Sequence, residues 1–236
     1  MEPLHSRPDV ALDNFSARKI RARGFTIFEL LVVFAIITII SGVMISNQSS
    51  FNKTLVLANA AYDVALSIRN TETYGVGSQT NISGVNAGYG MHFVNGNTFT
   101  LFADTYPSPS ATNCHGISSN GIDAPDTLWG DCTYEAGSGK DVVVQNYTLG
   151  NGIKITNICA YDSGESTWSC SNAGTLDSLD VVFARPNADT FMSVNGAYSP
   201  SISKMCLTLS APQGGASRFI SVASSGSIVA NATSCP

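Results

Sequence analysis

The sequence predicts an α+β protein: one long N-terminal helix, transmembrane in its first half, packed on an antiparallel β-sheet head. Three observations carry this expectation. The 21 residues from Phe25 to Ile45, FTIFELLVVFAIITIISGVMI, hold a single charge, and that length spans a hydrocarbon core of about 30 Å as a helix. No proline falls between Pro8 and Pro107, so nothing in the chain forces the helix to end at the membrane. Beyond Gly77 the apolar period drops to two and turn residues recur, the pattern of short strands with no α/β alternation.

Composition and charge agree. Of 236 residues, 44% are apolar and 12% charged, about half the usual charged share, which excludes disorder for most of the chain. Net charge is −5. Residues 1–24 contribute +2 through Arg7, Arg18, Lys19, Arg21 and Arg23 set against Glu2, Asp9 and Asp13, and the remainder carries −7. Bases crowd before the apolar segment, whereas Lys53 alone follows it within twenty residues. The asymmetry places the N-terminus in the cytoplasm and exports the chain beyond it. A cleaved secretory signal is the rival, but its apolar stretch is shorter, and no A-x-A site directly follows this one.

Glu29 is the odd residue. A carboxylate within an apolar helix is costly in lipid and is therefore a functional candidate, unless it lies near enough to the interface to reach water. Its surroundings favour the first reading. Residues 23–33 read RGFTIFELLVV: Gly24, then Phe25, then Glu29 as the fifth residue from Phe25, all behind a basic run. This resembles the leader of type IV prepilins and type II secretion pseudopilins. The resemblance implies that a prepilin peptidase cuts between Gly24 and Phe25 on the cytoplasmic side, and that the new amine of Phe25 is methylated. It also implies partners: other pilins or pseudopilins in a filament, and an inner-membrane assembly platform. In such a filament the carboxylate of Glu29 pairs with the Phe25 amine of a neighbour, each charge offsetting the desolvation cost of the other. Glu29 then sets assembly register.

On these grounds 1–24 is the leader, 25–45 the membrane-crossing half of the helix, 46–76 its exported amphipathic half and 77–236 the head. Phe51, Leu55, Ala58, Tyr62, Ala65 and Ile68 (or Arg69) recur at spacings of three and four and are expected to pack the helix on the head. Gly75 and Gly77 offer a stop. In the head, Tyr89–Val94, the turn Asn95-Gly96 and Asn97–Ala103 read as a hairpin. Further strands are expected over 142–148, 152–159, 178–184, 204–210, 219–223 and 227–230, the last two forming a closing hairpin. The helix segment Ala61–Tyr74, the aromatic hairpin and the closing hairpin together resemble the H-type minor pseudopilins and FimT-like minor pilins. That branch implies few copies, near the filament tip. The turn-rich insert from Tyr106 to Lys140 departs from it and is read as a surface loop carrying partner specificity.

All six cysteines follow the membrane segment: Cys114, Cys132, Cys159, Cys170, Cys206 and Cys235. An even set on the exported side implies disulfides. Fifteen pairings are open; sequential pairing is expected because it closes short loops, each worth roughly 3 kcal/mol in the chain-entropy model. No CxxC pair supports a zinc site instead.

The sequence offers no sign of catalysis. His5 sits in the leader, His115 adjoins Cys114, and His92 alternates with Met91 and Phe93, which points it to solvent. No phosphate loop, HExxH or GxGxxG occurs, and no cofactor is implied. Asp123, Asp126, Asp131 and Glu135 form the one acidic cluster; carboxylates of that kind can hold calcium, though the spacing is not an EF-hand and solvated loop acids are the commoner case. Nucleic acid is disfavoured as a partner. The exported part carries only Lys53, Arg69, Lys140, Lys154, Arg185, Lys204 and Arg218, too few for a phosphate-binding surface. The leading expectation is a minor pilin or pseudopilin, a structural subunit rather than an enzyme. A DNA-capturing minor pilin is the alternative, and an anchored periplasmic enzyme the third.

Overall fold

The structure is a computed structural model that describes residues 24–77, 88–106, 130–184, 189–212, 217–232 and 234–235, the side chains of 46–52 excepted. The chain divides into two compact units, Met1–Ser46 and Asn47–Pro236, and a helix α1 covers Ile27–Val76.

In the first unit, Ile27–Ile45 is long and apolar enough to cross a membrane, and none of it is buried. Its 19 residues rise about 28 Å at 1.5 Å each, close to a bilayer core. Within it Thr38 Oγ1 donates to the Phe34 carbonyl at 2.7 Å, which satisfies a hydroxyl on an otherwise apolar segment.

In the second unit, α1 buries Leu57, Ala61, Val64, Ile68, Thr71 and Gly75, spaced alternately by four and three. This corrects the expected stripe. Of the residues named from periodicity whose side chains are described, only Ile68 is buried; Leu55 is 51% and Tyr62 59% exposed, while Ala58 and Ala65 are half-buried. The helix carries two apolar stripes about 100° apart, and both satisfy the three-and-four spacing, so periodicity alone cannot say which meets the sheet. Gly75 decides it: a Cβ there would overlap the Phe183 backbone carbonyl.

Among the described residues eleven strands follow, and all their pairings are antiparallel. The first sheet has the order β3-β2-β1-β6-β7-β8, built from β1 (Gly88–Val94), β2 (Thr98–Asp104), β3 (Val142–Thr148), β6 (Ser178–Phe183), β7 (Thr190–Val194) and β8 (Ala197–Tyr198). The second has the order β11-β10-β9-β4-β5, from β4 (Lys154–Asp162), β5 (Thr167–Cys170), β9 (Ile202–Ser210), β10 (Ser217–Ala223) and β11 (Ile228–Ala232). The aromatic hairpin forms, with Phe93 opposite Phe99, but its turn is one residue longer than the expected Asn95-Gly96 pair: it runs over 95–97, and Gly96, at φ 149°, bridges to Ile155. Strands β5, β7 and β8 were not expected.

The core lies between the two sheets and the buried face of α1. Met91, Phe93, Leu101, Leu179, Val181 and Phe183 from the first sheet join Ile155, Ile158, Met205, Leu207, Leu209 and Ile220 from the second. The other face of the first sheet is also covered. Residues 130–141 fold across it and enclose a smaller core of Phe102, Cys132 and Val182, flanked by Tyr134, Phe191 and Tyr198. Thus the C-terminal end of the insert expected as a surface loop is a packed cover; residues 107–129 lie outside the described part.

Candidate functional site

At the head of α1, residues 24–26 are non-helical and exposed, and Phe25 is 83% exposed. The peptide bond between Gly24 and Phe25 therefore sits in open chain just before the helix, where a peptidase can bind it. The helix begins there because Thr26 caps it. The Glu29 amide donates to Thr26 Oγ1 at 3.2 Å, and the Thr26 amide donates to Glu29 Oε2 at 3.3 Å. The first helical hydrogen bond, Leu30 amide to Thr26 carbonyl, follows at 3.2 Å. This is a capping box, which satisfies two orphan amides reciprocally.

Sequence reasoning took Glu29 as a residue waiting for a partner in another subunit and overlooked this local role. The signal was present: Thr26-Ile27-Phe28-Glu29 is the T-x-x-E pattern of a helix start, followed by an apolar run. The cap turns the carboxylate back toward the chain end that cleavage after Gly24 would create. It also places the negative charge in the first turn, where the helix dipole favours it. No cation among the described residues pairs with Glu29.

The expected cysteine and metal residues distribute as follows. Cys159 is bonded to Cys170 and Cys206 to Cys235, sequential neighbours in both cases, and Cys132 is also in a disulfide. Cys114 lies outside the described residues, as do Asp123 and Asp126. Asp131 is occupied locally: its Oδ1 accepts the Thr133 amide at 3.1 Å and the Thr133 hydroxyl at 2.7 Å. Among the described residues no group of three His, Cys, Asp or Glu side chains is placed to hold a metal.

The cover over the first sheet is held by buried carboxylates that the sequence did not single out. Asp104, at the end of β2, accepts the amides of Asp131 at 3.2 Å and Cys132 at 2.9 Å. Gly130, at φ 112°, leaves the room this needs, since a Cβ there would overlap the Asp104 carboxylate. Asp141 accepts three amides, those of Thr105, Tyr106 and Glu135, at 2.8 to 3.0 Å. Asp180 binds His92 Nδ1 at 2.6 Å and accepts the Tyr134 amide at 3.2 Å. His92 is thus not solvated as expected; it lies against the Tyr134 ring, centroids 4.6 Å apart, because residues 130–141 cover the face to which alternation points it. Burial pushes the Asp104 carboxyl well above the usual range, against the pull of the Cys132 amide. Burial, with the neighbouring Asp104 charge, raises Asp141 to about 8. Burial also raises Asp180, opposed by His92. Among the described residues these acids accept from backbone amides and, at Asp180, from the positioned His92, an arrangement that staples a loop. Nothing in it presents a nucleophile with a base.

Comparison with known proteins agrees with the N-terminal geometry. Residues 19–45 match the family described as "Prokaryotic N-terminal methylation motif". Neither the curated proteins nor the solved structures provide a match. The chain therefore carries a type IV pilin-like prepilin leader followed by a hydrophobic helix, on an α+β, pilin-like architecture. The motif indicates a processed, structural pilin-like subunit and implies processing by a prepilin peptidase and assembly with other pilins.

Proposed function

We propose that the chain is a minor pilin or pseudopilin, assembled at or near the tip of a type II secretion pseudopilus or a type IV pilus. Residues 1–24 are the leader removed by the peptidase, Phe25 is the methylated residue, and 25–45 hold the precursor in the inner membrane with the head exported. The observation that carries this reading is the coincidence of three features at one point: an exposed Gly24–Phe25 bond, a capped helix start holding Glu29, and a following apolar segment without buried surface.

The exposed stripe on the second half of α1 supports an assembled state. Leu55, Tyr62 and Leu66 are each more than half exposed, which is unusual on a helix that already has a buried face. A neighbouring subunit's helix would cover them. Disulfides in the head suit an exported domain. The H-type and FimT-like assignment rests on the helix, aromatic hairpin and closing hairpin, all of which form. No observation favours DNA capture: Arg69 is paired with Glu72 at 2.8 Å, and Lys140 lies over the Tyr106 ring at 3.5 Å.

The test is incorporation. Glu29→Ala is expected to insert and be cleaved normally but to lose most of its cross-linking to neighbouring subunits in sheared filaments. Unchanged cross-linking would refute the register role.

A further inference from the structure

The two described disulfides of the head form a single row. In the second sheet Cys159 on β4 stands opposite Cys170 on β5 and opposite Cys206 on β9. Directly paired residues in antiparallel strands point to the same face, so three sulfurs lie side by side across β5, β4 and β9, with Cys159 in the middle. They pack as one cluster with Phe219 and Cys235. Cys159 is bonded to one neighbour, Cys170, with Cα atoms 4.1 Å apart. Its other neighbour, Cys206, is bonded instead to Cys235 near the chain end, Cα atoms 5.8 Å apart. Directly paired Cα atoms are about 4.5 or 5.5 Å apart in antiparallel sheets, and both spacings fall within the range a disulfide bridges. Cys159 can therefore bond to either neighbour without moving a strand.

We infer that this row is a thiol–disulfide relay, in which opening of Cys206–Cys235 by a dithiol moves the remaining bond to the centre, Cys159–Cys206. Exchange requires the attacking sulfur to approach along the line of the bond it breaks, and a row across a sheet supplies that line: Cys206 attacks, Cys159 receives, Cys170 leaves. Access favours the same order. Cys159 is wholly buried and Cys206 and Cys170 nearly so, whereas Cys235 is half-exposed. A dithiol attacks Sγ of Cys235, forming a mixed disulfide and expelling Cys206 as a thiolate. Cys206 Sγ then bonds to Cys159 Sγ as the Cys159–Cys170 bond breaks, and Cys170 leaves as a thiolate that takes a proton from water. The second thiol of the dithiol closes its own disulfide and frees Cys235. One dithiol is oxidised and one protein disulfide reduced; the exchange itself is redox-neutral. The Asn157 side-chain amide donates to Cys159 Sγ at 3.2 Å, the central sulfur of the exchange, and holds it in place as it changes partner.

The product differs in what it tethers. Cys159–Cys206 joins β4 and β9, which are already paired along their length, while the edge strand β5 and the chain end at Cys235 both lose their covalent tie. The relay thus converts one opening at the surface into release of two edges.

The test uses the full chain, extracted in detergent. Cys235→Ser leaves Cys206 as the odd thiol, and Cys170→Ser leaves Cys159. After an acid quench and alkylation in denaturant, non-reducing peptide mapping is expected to find the same Cys159–Cys206 linked peptide in both variants. The alkyl label should lie on Cys170 in the first variant and on Cys235 in the second. The linked peptide should form about tenfold faster per pH unit while the thiols remain mostly protonated. Wild-type protein with limiting dithiothreitol should yield the same peptide, which keeps the test valid if a serine variant fails to fold. Label confined to Cys206 in the Cys235→Ser protein, with Cys159–Cys170 intact, would overturn the relay. So would label on Cys170 without the Cys159–Cys206 peptide.

Discussion

The two halves of α1 obey one rule of spacing and meet opposite fates. Between Ile27 and Ile45 no side chain is buried, and the apolar surface runs all round the helix, as it does where the solvent is lipid. Between Leu57 and Gly75 every third or fourth residue is buried, and the helix acts as one wall of a core. Helix-forming sequence is common to both, so the difference lies in what covers the apolar surface. In the first half no described residue of its own unit covers it, and lipid or other subunits are the proposed cover. In the second half the sheets cover one stripe and leave a second open.

Substitution at matched positions tests this contrast most strongly. Leu57→Ala and Ile68→Ala should each destabilise the head by about 2–5 kcal/mol through the cavity left behind, seen as a lowered thermal midpoint of the detergent-solubilised chain. Ile36→Ala should leave that midpoint unchanged, and Leu55→Ala should shift stability by less than about 0.5 kcal/mol. A large loss from Leu55→Ala would mean that the stripe expected from periodicity packs the head after all.

The cover over the first sheet gives a pH-dependent comparison. Asp141 is raised from 3.8 to about 8 and burial also holds Asp104 well above its usual value, so the folded head holds protons that the unfolded chain releases. A raised carboxyl contributes stability that is fully present below its unfolded value and is lost as pH rises through the folded one. Between about pH 4 and 8 these two acids should make denaturation midpoints fall with rising pH, an uncommon sign for acidic groups. Asp162, half-buried and lowered by the Ser201 hydroxyl, works weakly the other way near pH 4. Asp141→Asn should flatten the decline across that window while costing about 1 kcal/mol for a lost acceptor. An unchanged slope in that variant would assign the titration elsewhere.

The smallest expected effect separates two roles of one residue. Thr26→Val removes the cap but keeps the Glu29 charge, and should cost about 1 kcal/mol of local helix stability. The loss should appear as faster hydrogen exchange at the amides of Phe28 and Glu29, with head unfolding untouched. Filament cross-linking should survive Thr26→Val if the Glu29 charge sets register, and should fall with it if the cap alone matters.

Much of this was legible in the chain. Helix length, the β-rich head and its principal hairpins follow from local patterns: an uninterrupted apolar run, Asn95-Gly96, and alternation through Leu179, Val181 and Phe183. What escaped was set by long-range packing. The buried face of α1 was misjudged because the choice between two stripes depends on the approach of Phe183 to Gly75. His92 was expected in solvent because nothing local announces that residues 130–141 fold over β1. One miss had a local signal: Asn195-Gly196, at φ 52° and 73°, turns β7 into β8 with Val194 opposite Ala197, the same motif already recognised at Asn95-Gly96. The Thr26–Glu29 cap was equally readable and was obscured by attention to charge.

The central claim is that cleavage at an exposed bond before a capped helix converts a membrane precursor into a filament subunit. The most direct measurement is the mass and N-terminal sequence of the full chain after expression with an active prepilin peptidase. The account predicts a product beginning at N-methylated Phe25, lighter than the precursor by residues 1–24. A product still beginning at Met1, while a control precursor is processed, would contradict it.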